Sequence, residues 1–347
     1  MSWNAACRRR SEANTTRLIL TTEGSGAGAL KQAGLADIVV PLGFKLVWGP
    51  LPPDAELATL FAPRAPEQDP AIPYWLHFLD RRRRGVLGRE GLGLIELCEL
   101  CERVELWIDP VPNAQLMLIL LLDYVHSHAK PAPKLMLVQA SVVIGNMLPD
   151  ELSKWTPAAV EVSRDHLEIA SRAWQAYRQP TPQDWSALLD HDLSMLPQLG
   201  QAVLELLEEL PMPETGLGAT EMRMLELISA GGLHPYDVFP GYRKRNKRRV
   251  FGYWEVGSLL DGLARGSAPA VSGLDEGPFT EEMHDDSDRH ARYKESWLSL
   301  TALGEAILAK RDDFSRHNQV HRWWGGTELT SDRLWRWDAA NRSLIAP

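Results

Sequence analysis

The chain has 347 residues, 44% hydrophobic and 24% charged, and its formal charge is -9 at pH 7. This composition is ordinary for a soluble globular protein with two or three domains. Three cysteines without disulfide spacing, and a start without an apolar core, argue against a secreted protein. The longest apolar run, 116–125, is too short to cross a bilayer. We expect a soluble, cytoplasmic protein with no membrane partner.

Short runs rich in Val, Leu and Ile alternate with helix-length segments in the first half of the chain. The predicted strands occupy 17–20, 36–43, 104–108 and 134–140, and the segments between them have the apolar spacing of helices. Strands of this kind, separated by helices, predict a parallel sheet covered on both faces. We therefore predict a Rossmann-like α/β domain over 17–150, after a flexible N-terminus of residues 1–16.

The pattern becomes helical after residue 150. Segments 163–179, 182–191 and 196–210 carry periodic apolar residues bounded by Pro or Gly. They predict a helical segment over 151–215.

The order of elements over 216–314 is typical of a winged helix. A helix near 220–228, a short helix, an amphipathic helix at 250–263, a hairpin and a final helix follow one another. We predict a winged-helix-like domain there. Residues 315–347 hold four of the 13 tryptophans and are predicted to pack as a terminal clasp, although Trp beside Arg can also stack on bases.

A basic run enters the predicted recognition helix. Six of the seven positions 243–249 are Lys or Arg, in a chain that is acidic as a whole, so the positive charge is local. We predict that this run meets the phosphates of DNA and that three helix residues lie near the groove. The predicted contacts are Arg243, Lys244, Arg245, Lys247, Arg248, Arg249, Tyr253, Trp254 and Glu255.

Several pieces of the chain, in order, resemble a bacterial family known as domain-of-unknown-function family eighteen thirty-five. They include "GPLP" at 49–52, "RAWQAYRQPTP" at 172–182, "GLGATEMRMLELI" at 216–228 and the ending "HRWWGG…LWRWD". The resemblance covers residues 18–338. It implies an α/β domain followed by helices and a winged-helix-like module, and it implies no established reaction.

The chain departs from this family at most of the family's polar positions near the strand ends. Gly24 stands where an aspartate is expected, and only Asp109 and Gln115 keep comparable chemistry after the third strand. Carboxylates and histidines at strand ends are usual for metal binding or acid–base work. Their loss favours a scaffold without catalysis. The alternative is a remaining ligand site built from Glu23, Ser25, Asp109 and Gln115.

Three other motifs are better explained by a structural role than by ligand binding, and a fourth leaves both explanations open. "GSGAG" at 24–28 lacks the Lys of a P-loop and predicts a tight turn. Cys98 and Cys101 form a lone C-x-x-C that favours buried core cysteines. The segment 281–293 predicts a solvated acidic loop, and "RRRR" at 81–84 leaves a phosphate contact and a helix end equally open.

The main hypothesis is therefore a DNA-binding, regulatory protein with a basic winged helix on a non-catalytic α/β scaffold. One alternative is an enzyme that acts on a nucleotide or other phosphorylated substrate at the strand ends. The other is an adaptor that binds a protein partner. No cofactor or metal is predicted.

Overall fold

The computed structural model of the protein describes residues 16–64, 75, 91–128, 134–239 and 249–347. The chain divides into two compact units. Among the described residues, the first unit runs to Leu46 and also includes 51–175 and 192–199. The second unit comprises 47–50, 176–191 and 200–347. Each unit therefore draws on separate stretches of the chain.

The first unit contains a five-stranded sheet in the order β2-β1-β3-β4-β5. Neighbours among the first four strands pair in parallel, and β5 pairs antiparallel to β4. The strands are β1 (Arg17–Thr21), β2 (Ile38–Pro41), β3 (Arg103–Ile108), β4 (Leu135–Gln139) and β5 (Val160–Glu161). The predicted α/β fold with a mostly parallel sheet is confirmed, and β5 is an addition that the sequence did not indicate.

The helices of the first unit alternate with its strands, and residues 24–28, predicted as a tight turn, are instead the start of the first helix. The helices are α1 (Gly24–Gln32), α2 (Asp54–Thr59), α3 (Leu94–Glu99), α4 (Pro112–His128), α5 (Pro149–Lys154) and the greater part of α6 (Arg164–Tyr177). The middle of α4, from Leu116 to Leu122, is buried on every side, as expected of a helix that is apolar all round. Ile19, Val39, Trp107 and Val138 form one sheet-face cluster with residues of α1 and α5.

A buried ion pair crosses the sheet between β1 and β3. Glu105 is 1% exposed, and its carboxylate accepts hydrogen bonds from Arg17 at 2.7 Å and from the indole of Trp107 at 2.7 Å. Burial alone would raise the pKa of Glu105, but these bonds and the charges of Arg17 and Arg103 lower it below its usual value. The carboxylate is therefore ionised within the sheet.

The second unit is built mainly from short helices, of which those between 219 and 308 enclose one apolar cluster. Its helices after the last turn of α6 are α7 (Gln183–Ala187), α8 (Leu199–Leu207), α9 (Ala219–Ser229), α10 (Pro235–Val238), α11 (Tyr253–Arg265), α12 (Glu281–Asp285), α13 (Ser287–Glu295) and α14 (Ala302–Leu308). Leu225, Val256, Leu260, Val271 and Ile307 are among the residues that form its core.

Three two-stranded sheets complete the second unit. They pair β6 (Val271–Ser272) with β7 (Ser299–Leu300), β8 (His321–Trp324) with β9 (Thr327–Thr330), and β10 (Arg336–Asp338) with β11 (Ser343–Ile345). All three pairs are antiparallel. The Trp-rich ending is therefore made of hairpins.

The segment 281–293, predicted as a solvated loop, is instead helical. Thr280 accepts a hydrogen bond from the Met283 N–H at the start of α12, and Asp286 accepts from the N–H groups of Asp288 and Arg289 at the start of α13. These N-caps satisfy donors that a helix start leaves open. The prediction of a loop was wrong because the acidic composition hid two capped helices.

Within the described residues, every helix is too short or too polar to cross a membrane.

Candidate nucleic-acid interface and strand-end residues

Most of the predicted phosphate contacts lie outside the described residues. This applies to Arg243, Lys244, Arg245, Lys247 and Arg248, and equally to the run at 81–84 and to residues 1–15. Arg249 is described and half-buried, four positions before the start of α11. The chain thus brings the end of the basic run to the N-terminus of this helix.

Tyr253 and Trp254, at the start of α11, pack inside the second unit. The ring of Phe279 lies 5.1 Å from the Tyr253 ring and 5.3 Å from the Trp254 ring, centroid to centroid. His284 contacts Trp254 edge-on at 5.4 Å. Both side chains are half-buried in an aromatic cluster, so they present only part of their surface to a partner.

A polar chain runs through this aromatic cluster. The Tyr236 hydroxyl forms hydrogen bonds with the Tyr253 hydroxyl and, at 2.7 Å, with Nε2 of His290. Burial and the charges of His284 and Lys294 lower the pKa of His290 below its usual value. His290 is therefore neutral at pH 7 and offers no positive charge to a phosphate.

Glu255 is 5% exposed, although the sequence placed it near a groove. Its carboxylate folds back over Gly252, the residue that caps α11. A carboxylate in the first turn is favoured by the helix dipole, which explains this position. Glu255 stabilises the start of the helix and does not face outward to meet a base.

The segment from Leu274 to His284 covers one face of α11. Residues 253, 257, 261 and 265 lie four apart and share this face. Phe279 packs directly on Gly257, and its backbone N–H donates to the carboxylate of Asp261. Arg265 donates to the backbone carbonyl oxygen of Glu276. With the opposite face in the core, α11 leaves only a narrow strip around Gly262 open to solvent.

Asp109 and Gln115 meet at the carboxyl end of β3, in a buried network. Asp109 is fully buried, and its Oδ1 accepts a hydrogen bond from the N–H of Ile144 at 2.7 Å. Nε2 of Gln115 donates to the carbonyl oxygen of Asp109 at 2.8 Å and to Oε1 of Gln198 at 3.1 Å. The bond from Ile144 holds the turn at 144–146 against the sheet, and the bonds of Gln115 tie α4 to the end of β3 and to Gln198, so both residues have a structural role.

Glu23 and Ser25 lie at the start of α1 and are exposed. The strand order reverses at β1, so this edge is where doubly wound sheets bind their ligands. Ser25 packs against Gly145, one residue after the partner of Asp109. The structure therefore brings Ser25 and Asp109 to one turn, but the Asp109 carboxylate stays inside the protein.

The two cysteines of the C-x-x-C differ in setting. Cys98 is buried in α3, whereas Cys101 follows the end of that helix and is half-buried. Burial, with the nearby Cys101 and Glu99, raises the pKa of the Cys98 thiol to about 12. It therefore stays protonated and unreactive at neutral pH. In the described part of the chain, no three His, Cys, Asp or Glu side chains are grouped to hold a metal ion.

Comparison of this chain with known protein families and with curated proteins finds no match. The resemblance drawn from the sequence motifs stays a prediction, and a function has to be inferred from the residues themselves.

Proposed function

We propose that the chain binds nucleic acid through the basic run 243–249, which belongs to a winged-helix-like module over 216–314. The order of elements supports this proposal. Helices α9, α10 and α11 precede strand β6, α12 and α13 are inserted between β6 and its antiparallel partner β7, where the sequence predicted a hairpin, and α14 closes the module. Three helices, a two-stranded sheet and a final helix are the parts of a winged helix, a helix-turn-helix variant.

The position of the basic run carries the proposal. Six cations in seven residues stand between the second and third helices of the module, in a chain whose formal charge is -9. Counterion release from phosphates drives the binding of such clusters to nucleic acid.

The buried state of α11 favours phosphate contacts over base recognition by this helix. Glu255 is inside, and the face that carries Gly257 and Asp261 is covered by the segment from Leu274 to His284. Phosphate contacts position a protein on nucleic acid but do not specify a sequence. We therefore expect binding by the run to be similar across sequences of the same length.

A salt titration of duplex DNA binding tests the proposal. With four or five phosphate contacts, log K should fall linearly with log salt at a slope of roughly -4, about -0.9 for each contact. A variant with Lys244, Arg245, Lys247 and Arg248 all replaced by Ala should have a slope flatter by about 3 and weaker binding to every sequence.

A matched control removes four exposed cations elsewhere and leaves the run intact. It replaces Lys134, Lys154 and Arg164 by Ala and Arg342 by Asn, which tolerates the positive φ at that position. This control should keep most of the wild-type slope. If the wild type and the run variant bind with equal slope and affinity, the run is not a nucleic-acid surface and the adaptor hypothesis replaces the proposal.

A further inference from the structure

The second unit contains an aromatic pocket of about 280 Å³ that the sequence did not indicate. Its lining includes Trp48, Phe251, Trp323 and Trp324, with Glu209 and Arg322. Trp48 and Phe251 meet edge-to-face, with ring centroids 5.7 Å apart. The volume lies just below the range of roughly 300–1,000 Å³ that holds drug-sized ligands. It suits a single planar ring system.

The charged groups in the pocket wall already have hydrogen-bonding partners. Arg322 forms an ion pair with Glu221, with Nη1 2.9 Å from Oε2. The Glu209 carboxylate accepts hydrogen bonds from the hydroxyl of Thr220 at 2.6 Å and from its N–H at 3.1 Å. A charged ligand would have to disrupt these pairs. An uncharged planar ring would leave these interactions intact.

The walls also offer faces and donors for such a ring. Trp48 is 37% exposed and Trp323 is half-buried, so both indoles have accessible surface. In the part of the chain that the structure describes, neither indole N–H donates a hydrogen bond. Nucleobases stack on aromatic side chains whatever their identity, and their edges carry hydrogen-bond acceptors.

One residue of the pocket wall closely follows the basic run in the sequence. Phe251, one of its walls, is two residues after Arg249, so the two Cα atoms are at most about 7 Å apart. We infer that the pocket takes one unpaired base of a single-stranded nucleic acid. This inference rests on the proposed function, because the phosphates of the same strand would be held by the cations before Phe251. It goes further by selecting single strands as the ligand.

Affinity for a 12-residue thymidine strand, for the same strand made abasic, and for a duplex tests this inference. Trp48→Ala should weaken binding of the intact strand about 5- to 100-fold, the range that the loss of one stacked base implies. Binding of the abasic strand and of the duplex should be unchanged. Trp48→Phe, which keeps a stacking face, should retain most of the affinity.

Trp297→Ala is a matched control, since Trp297 is 60% exposed in the same unit and is not part of the pocket wall. It should bind all three ligands as the wild type does. Trp323→Ala should repeat the selective loss seen with Trp48→Ala. Wild-type affinity for the intact strand in both pocket variants would overturn the inference and leave the proposed function standing, provided that the run variant still has its flatter salt slope.

Two further results would also overturn the inference. Binding of a tryptophan-containing peptide that is lost with Trp48→Ala, without any effect on the strand, would assign the pocket to a protein partner. No measurable binding of duplex or single strand by the wild type would overturn the inference together with the proposed function.

Discussion

Trp324 should be the residue on which the C-terminal hairpins most depend. It is 6% exposed, and its ring lies 5.5 Å from that of Tyr177 and 6.4 Å from that of Trp185. Its indole N–H donates to the carbonyl oxygen of Leu206 at 2.7 Å. Trp324→Ala removes the ring, leaves a cavity between the two partners and takes away the hydrogen-bond donor.

The expected loss can be worked from these contacts. Truncating a buried Trp to Ala costs about 3–5 kcal/mol, and a buried carbonyl left without its donor adds about 1 kcal/mol. For a unit of this size the melting temperature should fall on the order of 10 °C. Urea unfolding followed by far-UV circular dichroism measures the free energy. Truncation after Asn318 removes all of the hairpins and should be at least as severe.

Two further variants separate packing from hydrogen bonding and from the loss of any Trp. Trp324→Phe keeps a ring between Tyr177 and Trp185 but not the donor, so it should cost about 1–2 kcal/mol. Trp297→Ala removes an exposed Trp and should change the free energy by less than about 1 kcal/mol. A Trp324→Ala variant as stable as Trp297→Ala would refute the packing argument and make the hairpins free to serve only a ligand.

Four other substitutions test the packing and the titration of the two units. Gly257→Ala should destabilise the protein by about 1–3 kcal/mol or more, because the added Cβ would overlap the ring of Phe279. Gly262→Ala, on the open strip of α11, should stabilise it by about 0.5–1 kcal/mol. Urea unfolding of the two variants compares these effects. Glu105→Gln should cost about 1–3 kcal/mol, since it weakens the charge-assisted hydrogen bonds from Arg17, whose own side chain is 29% exposed and stays partly solvated. Because the pKa of Glu105 is lower in the folded protein than in the unfolded chain, the unfolded chain binds the proton first as the pH falls below 4.5. The wild type should therefore lose more stability than the variant on acidification, which denaturation at several pH values measures. The lowered pKa of His290 acts in the same direction below pH 6.5, so His290→Gln should flatten the fall in stability between pH 7 and 5.

The strands of the first unit could be predicted because their sequences are unambiguous. The runs ending at Thr21, Ile108 and Gln139 are mainly apolar, apart from their end residues and Glu105, as expected for strands with both faces covered. By contrast, β5 has only two residues, both exposed, and no periodic pattern can indicate a strand so short. Its pairing depends on the neighbouring β4 edge and not on its own sequence.

Parts of the second unit were missed although local signals were present. Thr280 and Asp286 are favourable N-cap residues, and Met283 and Tyr293 supply the buried anchors of α12 and α13. The acidic residues between them favoured the prediction of a loop. In the ending, Gly325 and Gly326 between two short β-prone runs are a hairpin signal.

The pocket could not have been predicted, because its walls come from distant stretches of the chain. Trp48, Phe251 and Trp323 are separated by more than 70 residues at each step, and no spacing rule connects them. The burial of Glu255 could not have been predicted from the sequence either. The sequence shows a carboxylate in the first turn of a helix, but only the structure shows that it points back to the helix start.

The covered face of α11 constrains the proposed binding of nucleic acid. A recognition helix must offer side chains to base edges in the major groove. Here the strip left open carries Ser258 and Gly262, and the Ser258 hydroxyl already donates to the carbonyl oxygen of Trp254. Asp261 and Arg265 are bound to the segment that covers the helix. Phosphates, unlike base edges, are accessible from outside the grooves, so a cationic run that precedes the helix can reach them without insertion of the helix. Under the proposed function, affinity should therefore depend on salt and strand type, with little dependence on duplex sequence.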